Sequence, residues 1–266
     1  MNKKYFCFLM VTAVICIAII TFNFKDKEKI SGKVRIGVSD DTSGFVIDYM
    51  KSKDNFKNLQ LVNNLDTYTV ADCCSSTTQW ALSSDEIDLA IICKEAAKEF
   101  IENDNDFVVV SPVLKNSDIF LINNRNIDKI GVTNKRNYQY DLVRKYYKNA
   151  EIVPITGTAL GYALESKQVD GAVMDIFRAL SLEGEKLSTA SNGEYESYVL
   201  VSSKEFMKSK EYKSFITLYN KAVKELQDEK TFKKELKNYK NIDVTIKEME
   251  DMKSWKIKFL QIKEDF

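Results

Sequence analysis

Apolar positions along this chain fall into short runs divided by polar, helix-compatible stretches. KVRIGV at 33–38 is a short run rich in β-branched residues, and after Asp40, Asp41, Thr42 and Ser43 a helical pattern opens at Gly44 and continues through Phe45, Ile47, Tyr49 and Met50. LQLV at 59–62 predicts a second buried strand, Ser75 to Leu82 a helix, and DLAII at 88–92 a third strand. The second half runs the same way. DKIGV at 128–132 predicts a strand, Tyr138 to Tyr147 a helix, EIVPI at 151–155 a strand, Thr158 to Ser166 a helix and VDGAVM at 169–174 a strand. Strands alternating with helices predict an α/β fold whose mostly parallel sheets are covered on both faces.

Two self-matches suggest that the halves share one design. ALSSDEIDLAII from Ala81 and ALESKQVDGAVM from Ala163 agree at five of twelve positions with an offset of 82, and Trp80 is matched in type by Tyr162. KVRIGV and IDKIGV share Ile-Gly-Val, with Ile36 aligned to Ile130 at an offset of 94. Helix–turn–strand units also resemble one another without duplication, and that alternative stays open here. SDIFLINN at 117–124 alternates like a strand leaving the first half, and EYESYVLVSS at 194–203 can bring the chain back. Two such crossings make a hinge. Beyond Ser203, Phe215, Ile216, Tyr219, Ala222, Val223 and Leu226 recur at helical spacing. A last helix is expected near Met249 to Ile262. The resulting division is 1–29 signal or anchor, 30–116 first lobe, 117–198 second lobe, and 199–266 return crossing plus helices packing on the first lobe. The Lys-rich runs at 204–213 and 233–240 read as solvated helix faces.

The N-terminus carries an export pattern. Lys3 and Lys4 precede an uncharged run from Tyr5 to Phe22, ended by Lys25, Asp26, Lys27 and Glu28. The run is long enough to span a bilayer, and no small-x-small cleavage site follows it. The expectation is an uncleaved anchor with the body outside the cytoplasmic membrane, the alternative being secretion after signal cleavage. Lys plus Arg equals Asp plus Glu at 39 each, which gives no reason to expect nucleic-acid binding. The chain holds no histidine, so Ser-His and Cys-His catalytic pairs and His-ligated zinc are excluded. No cofactor is called for. Cys7 and Cys16 lie in the apolar run, leaving Cys73, Cys74 and Cys93 in the body. That odd number is no disulfide scaffold.

Ligands of open α/β sheets bind beyond the carboxyl ends of the strands, where helix N-termini offer free N–H groups. That rule selects Ser39 to Gly44, Asp72 to Thr78, Cys93–Lys94, Thr133–Asn134, Thr156 to Ala159 and Met174–Asp175. Within them the candidate ligand-binding residues are Asp40, Asp41, Thr42, Cys73, Cys74, Ser75, Ser76, Cys93, Thr133, Thr158 and Asp175. Cys73 and Cys74 are adjacent and run into Ser75-Ser76-Thr77-Thr78, hydroxyl residues that suit a helix start. A thiol there ionises more readily, and thiolates select soft ions over hard ones. Cys73, Cys74 and Cys93 are therefore the candidate ligands of a soft metal or organometal. A buried core role for Cys93 and a structural or redox disulfide are the competing readings. Asp40 and Asp41 tolerate a cation and repel a bare anion, or form a solvated capping turn. Thr158 either presents backbone N–H groups to ligand or caps a helix. Arg178 stands at helical spacing to pair with Asp175.

The export pattern, the KVRIGV strand, the repeated AL-x-S-x-x-I/V-D-x-A, the two crossings and the C-terminal helices together resemble an extracytoplasmic solute-binding protein of an ABC importer. The likeness is to the type 2 periplasmic-binding fold, in the branch of nitrate, sulfonate and thiamine-precursor binders, and spans about residues 30 to 260. It implies two lobes closing on a ligand, and partners that are an ABC permease and its ATPase, with membrane contact through the N-terminal segment, a monomeric state and no enzymatic activity. ADCCSSTTQWALSSDEIDLAIIC is also similar to the binding subunit SaoB of the selenocysteine-assisted organometal transporters, which carry a Cys-selenocysteine or Cys-Cys pair at this place. That implies a thiophilic cargo, organomercury among the possibilities, here met by ordinary cysteine at both Cys73 and Cys74. The alternatives are a receptor for a small anion or for a sulfonate- or thiamine-precursor-like ligand, a secreted thiol redox protein without a Cys-x-x-Cys motif, and a surface sensor of the same fold.

Overall fold

The computed structural model describes residues 32–53, 56, 60–70, 83 and 86–263. The N-terminal apolar run, the Cys73–Cys74 pair with Ser75 and Ser76, and the helix expected over Ser75 to Leu82 lie outside the described residues. No helix among the described residues is long and apolar enough to cross a membrane.

Two mixed sheets organise the chain. The first holds β1 (Val34–Val38), β2 (Leu65–Thr69), β3 (Leu89–Cys93), β4 (Phe107–Lys115), β10 (Glu196–Ser203) and β11 (Lys258–Phe259), in the order β11-β4-β10-β3-β1-β2. The second holds β5 (Asp118–Ile122), β6 (Lys129–Thr133), β7 (Glu151–Ile155), β8 (Gly171–Asp175) and β9 (Glu185–Ser188), in the order β7-β6-β8-β5-β9. Within each sheet three strands run parallel and an antiparallel strand joins beside β3 or β8. β3 and β8 are buried at every position, as expected of strands covered on both faces.

The two self-matches occupy equivalent places. Ile36 and Gly37 pair with Leu89 and Ala90, while Ile130 and Gly131 pair with Gly171 and Ala172. The same offsets that align the sequences therefore align the registers. The glycine of Ile-Gly-Val is needed for close approach. A Cβ at Gly37 would lie 3.1 Å from Val70 and 3.4 Å from Ile87; at Gly131 it would lie 2.9 Å from Leu160 and 3.5 Å from Val169. Ile87 and Val169 are the equivalent residues just before the repeated Asp, so the two motifs interlock.

Helices cover the sheets: α1 (Phe45–Ser52), α2 (Gln60–Asn63), α3 (Lys94–Asn103), α4 (Asn137–Tyr146), α5 (Leu160–Glu165), α6 (Ile176–Ala179), α7 (Lys210–Glu225), α8 (Glu229–Lys240) and α9 (Ile246–Ser254). Ser209 and Asp228 cap α7 and α8, and Thr245 with Glu248 forms a capping box on α9. α7 buries the predicted Phe215, Ile216, Tyr219, Ala222 and Val223 against the first sheet's side of the molecule, where it meets α1.

Two sequence expectations are corrected. LQLV does not form a strand: Gln60–Asn63 is a helical turn and the strand follows at Leu65–Thr69. Leu61, Val62 and Leu65 are buried together, and so short an apolar run carries no period that separates the two structures. The last helix ends at Ser254, and β11 follows after Lys256 takes a left-handed turn with φ 58°. The strand therefore replaces the second half of the helix expected to reach Ile262.

The chain passes between sheets twice. It leaves after β4 through Asn116, which takes φ 55°, a conformation asparagine tolerates. It returns between Ser188 and Glu196, ahead of residue 199. The crossings are tied by Asn116 N–H to Tyr195 O at 3.2 Å, Tyr195 N–H to Asn116 Oδ1 at 2.9 Å and Ser117 N–H to Ser197 Oγ at 2.9 Å.

Candidate functional site

The strand-end turns of the two sheets meet. After β1, Asp41 caps the short 3-10 turn Thr42–Gly44 by accepting from Ser43 N–H. After β8, Asp175 caps α6 by accepting from Phe177 N–H at 3.0 Å. Thr42 crosses to Asp175, donating to Oδ1 from its N–H at 3.2 Å and from its hydroxyl at 2.8 Å. Arg178 on α6 crosses in the other direction, donating to Asp40 Oδ1 at 2.8 Å and to Ser39 Oγ at 3.4 Å, with Asp41 Oδ2 3.8 Å away. Arg178 thus pairs with the first sheet's turn and not, as its helical spacing suggested, with Asp175.

An apolar contact accompanies these bonds. Phe177, wholly buried, packs edge-on against Phe45 of α1 at 5.3 Å between ring centroids, and Phe232, Tyr239 and Phe259 complete the cluster. The start of α6 is therefore embedded in the first sheet's side of the molecule.

A second polar chain crosses nearer the hinge. Arg136, just before α4, donates to the Tyr198 hydroxyl at 2.9 Å, and that hydroxyl donates to Asp41 Oδ2 at 2.9 Å. Asp118 Oδ2 accepts from the Tyr138 hydroxyl and from Gln139 Nε2 at 2.6 Å, with Arg136 Nη1 3.7 Å away. Gln139 in turn accepts from Thr133 N–H at 2.6 Å. Asp118 and Asp175 are direct partners across β5 and β8, so their side chains leave one face of the sheet.

Electrostatics here are dominated by burial. Burial, then the charges of Asp41 and Asp118, pushes the Asp175 carboxyl up to about 8. Burial also raises the Glu95 carboxyl on the first turn of α3. Arg178 loses by burial but is raised overall by Asp41, Asp175 and Asp40. Buried oxygens without a hydrogen-bond partner include Asp118 Oδ1, Asp175 Oδ2 and Glu95 Oε2.

The structure thus brings Asp40, Asp41, Thr42 and Asp175 together. Thr133 is buried at the end of β6, while Thr158 is exposed within the 3-10 turn Gly157–Ala159. Cys93 ends β3, is 0% exposed within the core, and stands opposite Tyr198 in the sheet. That is the packing of a core residue. Among the described residues no group of three Cys, Asp or Glu side chains is placed to hold a metal ion. Arg136, Asp118, Tyr138, Gln139, Glu95 and Tyr198 were not selected from sequence. Arg136 had a findable signal, since it lies 94 residues after Thr42, at the repeat's own offset.

No protein-family model matches the chain, and no curated protein matches it. Solved structures do. The ligand-binding component of an ABC-type import system from Staphylococcus aureus, solved with zinc bound, superposes with a TM-score of 0.68 at 14% identity, covering 87% of this chain and 86% of that one. The fold is that of ABC-type solute-binding proteins. The alkanesulfonate-binding protein SsuA from Xanthomonas axonopodis pv. citri bound to MOPS superposes at 0.59 and 14% identity over 79% of this chain and 80% of that one. The nitrate-binding protein NrtA from Synechocystis PCC 6803 gives 0.61 at 10% identity, over 78% of this chain and 65% of that one.

Proposed function

We propose that this chain is the solute-binding component of an ABC-type importer, held outside the cytoplasmic membrane by its N-terminal segment. It binds a small ligand without chemistry and presents it, as a monomer, to a permease driven by an ATPase. The observation that carries the reading is the set of contacts from Thr42 to Asp175 and from Arg178 to Asp40, which join strand-end turns of two sheets astride a two-crossing hinge. A hinge of that kind lets the sheets part and close around a ligand, and a ligand held only by the closed form stabilises it by mass action.

The ligand we assign is thiophilic, an organometal cation gripped by Cys73 and Cys74. Support comes from the adjacent thiols leading into Ser75-Ser76-Thr77-Thr78 and from the preference of thiolates for soft ions. The zinc-bound and MOPS-bound neighbours show that the fold by itself leaves ligand class open. Cys93, being wholly buried, is not assigned to the grip.

Calorimetry with methylmercury chloride on the wild type and on the double variant Cys73→Ser/Cys74→Ser tests the assignment. Affinity is expected to fall at least about a hundredfold in the variant, more than 2.7 kcal/mol at 1.36 kcal/mol per decade. Equal affinity would remove the thiolate grip. Tight binding of MOPS or nitrate by both proteins would favour an ordinary anion receptor, a reading that Arg136 and Arg178 beside the strand-end turns would then serve.

A further inference from the structure

Asp118 and Asp175 are the buried groups that the capture reading leaves unexplained. They are 0% and 4% exposed and stand directly opposite each other across β5 and β8. Like charges in that relation destabilise a sheet. Each spends only one oxygen on hydrogen bonds. Asp175 Oδ1 accepts from Thr42 N–H, the Thr42 hydroxyl and Phe177 N–H, and Asp118 Oδ2 accepts from Tyr138 and Gln139. Asp175 Oδ2 and Asp118 Oδ1 are both buried and have no partner. A buried carboxylate oxygen left dry is costly unless something positive meets it.

The charged surroundings act on the pair without hydrogen-bonding its two dry oxygens. Asp40 and Asp41 reach in from the turn after β1, Asp118 from β5, Tyr239 from α8 and Arg178 from α6. Arg178 is engaged with Asp40 and Ser39, and Arg136 reaches the Tyr198 hydroxyl while lying 3.7 Å from Asp118 Oδ2, the oxygen that already has partners.

We propose that the Asp118–Asp175 pair is the seat of one positive charge, filled by a proton when the two sheets close. The proton seat rests on the buried pair itself; its tie to closing rests on the solute-capture reading. Closing moves Asp175 from water, where it is ionised, to beneath Thr42, where it is protonated on Oδ2, so one proton is taken up from solvent. The sign follows from linkage. A carboxyl that titrates at about 8 in the closed form and lower once Thr42 and Asp41 withdraw favours the closed form as pH falls, and loses that advantage as pH rises to about 8, levelling above it.

The test is a carbon-detected NMR titration of the aspartate carboxyls in the full chain, with inter-sheet distance followed by spin-label spectroscopy. One carboxyl is expected to titrate near pH 8 and to vanish in Asp175→Asn. The closed-to-open ratio is expected to fall by up to about tenfold per pH unit within the window, and to stay level in the variant. If Asp175→Asn fails to fold, Thr42→Val serves instead: losing a donor to the ionised form, it should move the same midpoint upward. Aspartates all titrating below pH 6, or a midpoint untouched by both variants, would overturn the proton seat. A raised carboxyl in a chain that never captures methylmercury, MOPS or nitrate would uphold the proton seat and sink the capture reading.

Discussion

The two sheets share a plan but spend equivalent positions differently. Offsets of 94 and 82 pair Gly37 with Gly131, Arg35 with Lys129, Asp88 with Asp170, Cys93 with Asp175 and Glu95 with Phe177. Where the pair supports the strands, the roles agree. Asp88 N–H donates to Arg35 O and Asp170 N–H to Lys129 O, both at the start of a parallel pairing. Where the pair faces the opposite sheet, the roles diverge. Cys93 stands at the start of α3 with no side-chain capping bond to that helix, whereas Asp175 caps α6 and accepts two bonds from Thr42. Glu95 leaves an oxygen dry, while Phe177 enters an aromatic cluster. The shared positions build a scaffold; the divergent ones make the second sheet's turn an insert into the first sheet's side.

The largest effect that sharpens this contrast should come from Phe177→Ala. It removes a fully buried ring from contact with Phe45, Phe232, Tyr239 and Phe259, and we expect a loss of about 3–5 kcal/mol. Glu95→Ala at the equivalent position should change stability by less than about 1 kcal/mol, because that side chain's desolvation offsets what it gains. Urea unfolding of the two variants checks the pair, and equal losses would break the contrast.

Next comes the clamp at the repeated Asp. Asp88 accepts from Arg35 N–H at 3.0 Å, Nε at 3.0 Å and Nη2 at 2.8 Å, and its side chain is 4% exposed. Asp88→Ala should cost about 1.5–3 kcal/mol. Asp170 serves Asp128 N–H, Lys129 N–H and Asn124 in an exposed setting, so solvent screening should hold the cost of Asp170→Ala under about 1 kcal/mol. Its carboxyl is held below the usual range, first by the Asn124 amide. That contribution is present above about pH 4 and is lost on further acidification. Thermal melts of both variants at pH 7 and pH 3 separate the two cases, and a larger loss for Asp170→Ala at pH 7 would refute the ranking.

The smallest difference is expected between Gly37→Val and Gly131→Val. Each overpacks a strand pairing and should cost about 1–3 kcal/mol. The second should be slightly worse, since its Cβ would meet Leu160 at 2.9 Å against 3.1 Å to Val70 for the first. Denaturant midpoints that leave either variant unchanged would show that the interlock with Ile87 or Val169 is loose.

Much of the scaffold was legible because it is periodic. EIVPI and the strand within KVRIGV fall where their short β-branched runs place them, and α7 buries the face its spacing marks. LQLV misled because its run is shorter than either period needs to declare itself, and the last helix was overextended because the turn at Lys256 leaves no compositional mark. The site was legible in part. Strand ends select Asp41, Thr42 and Asp175, but Arg178 was assigned to its own helix when its partner lies 138 residues away at Asp40.

From the sequence alone came the α/β class, the likeness of the two halves and the residues at the strand ends, since each rests on neighbours a few positions apart and on sterics that act locally. The tertiary structure decided what those residues do. Asp175 becomes a buried acceptor and Asp118 its dry counterpart because β5 and β8 run antiparallel and a turn from the other sheet closes over them. Burial and opposed charge arise between segments far apart in the chain, so they exist only once the sheets have come together.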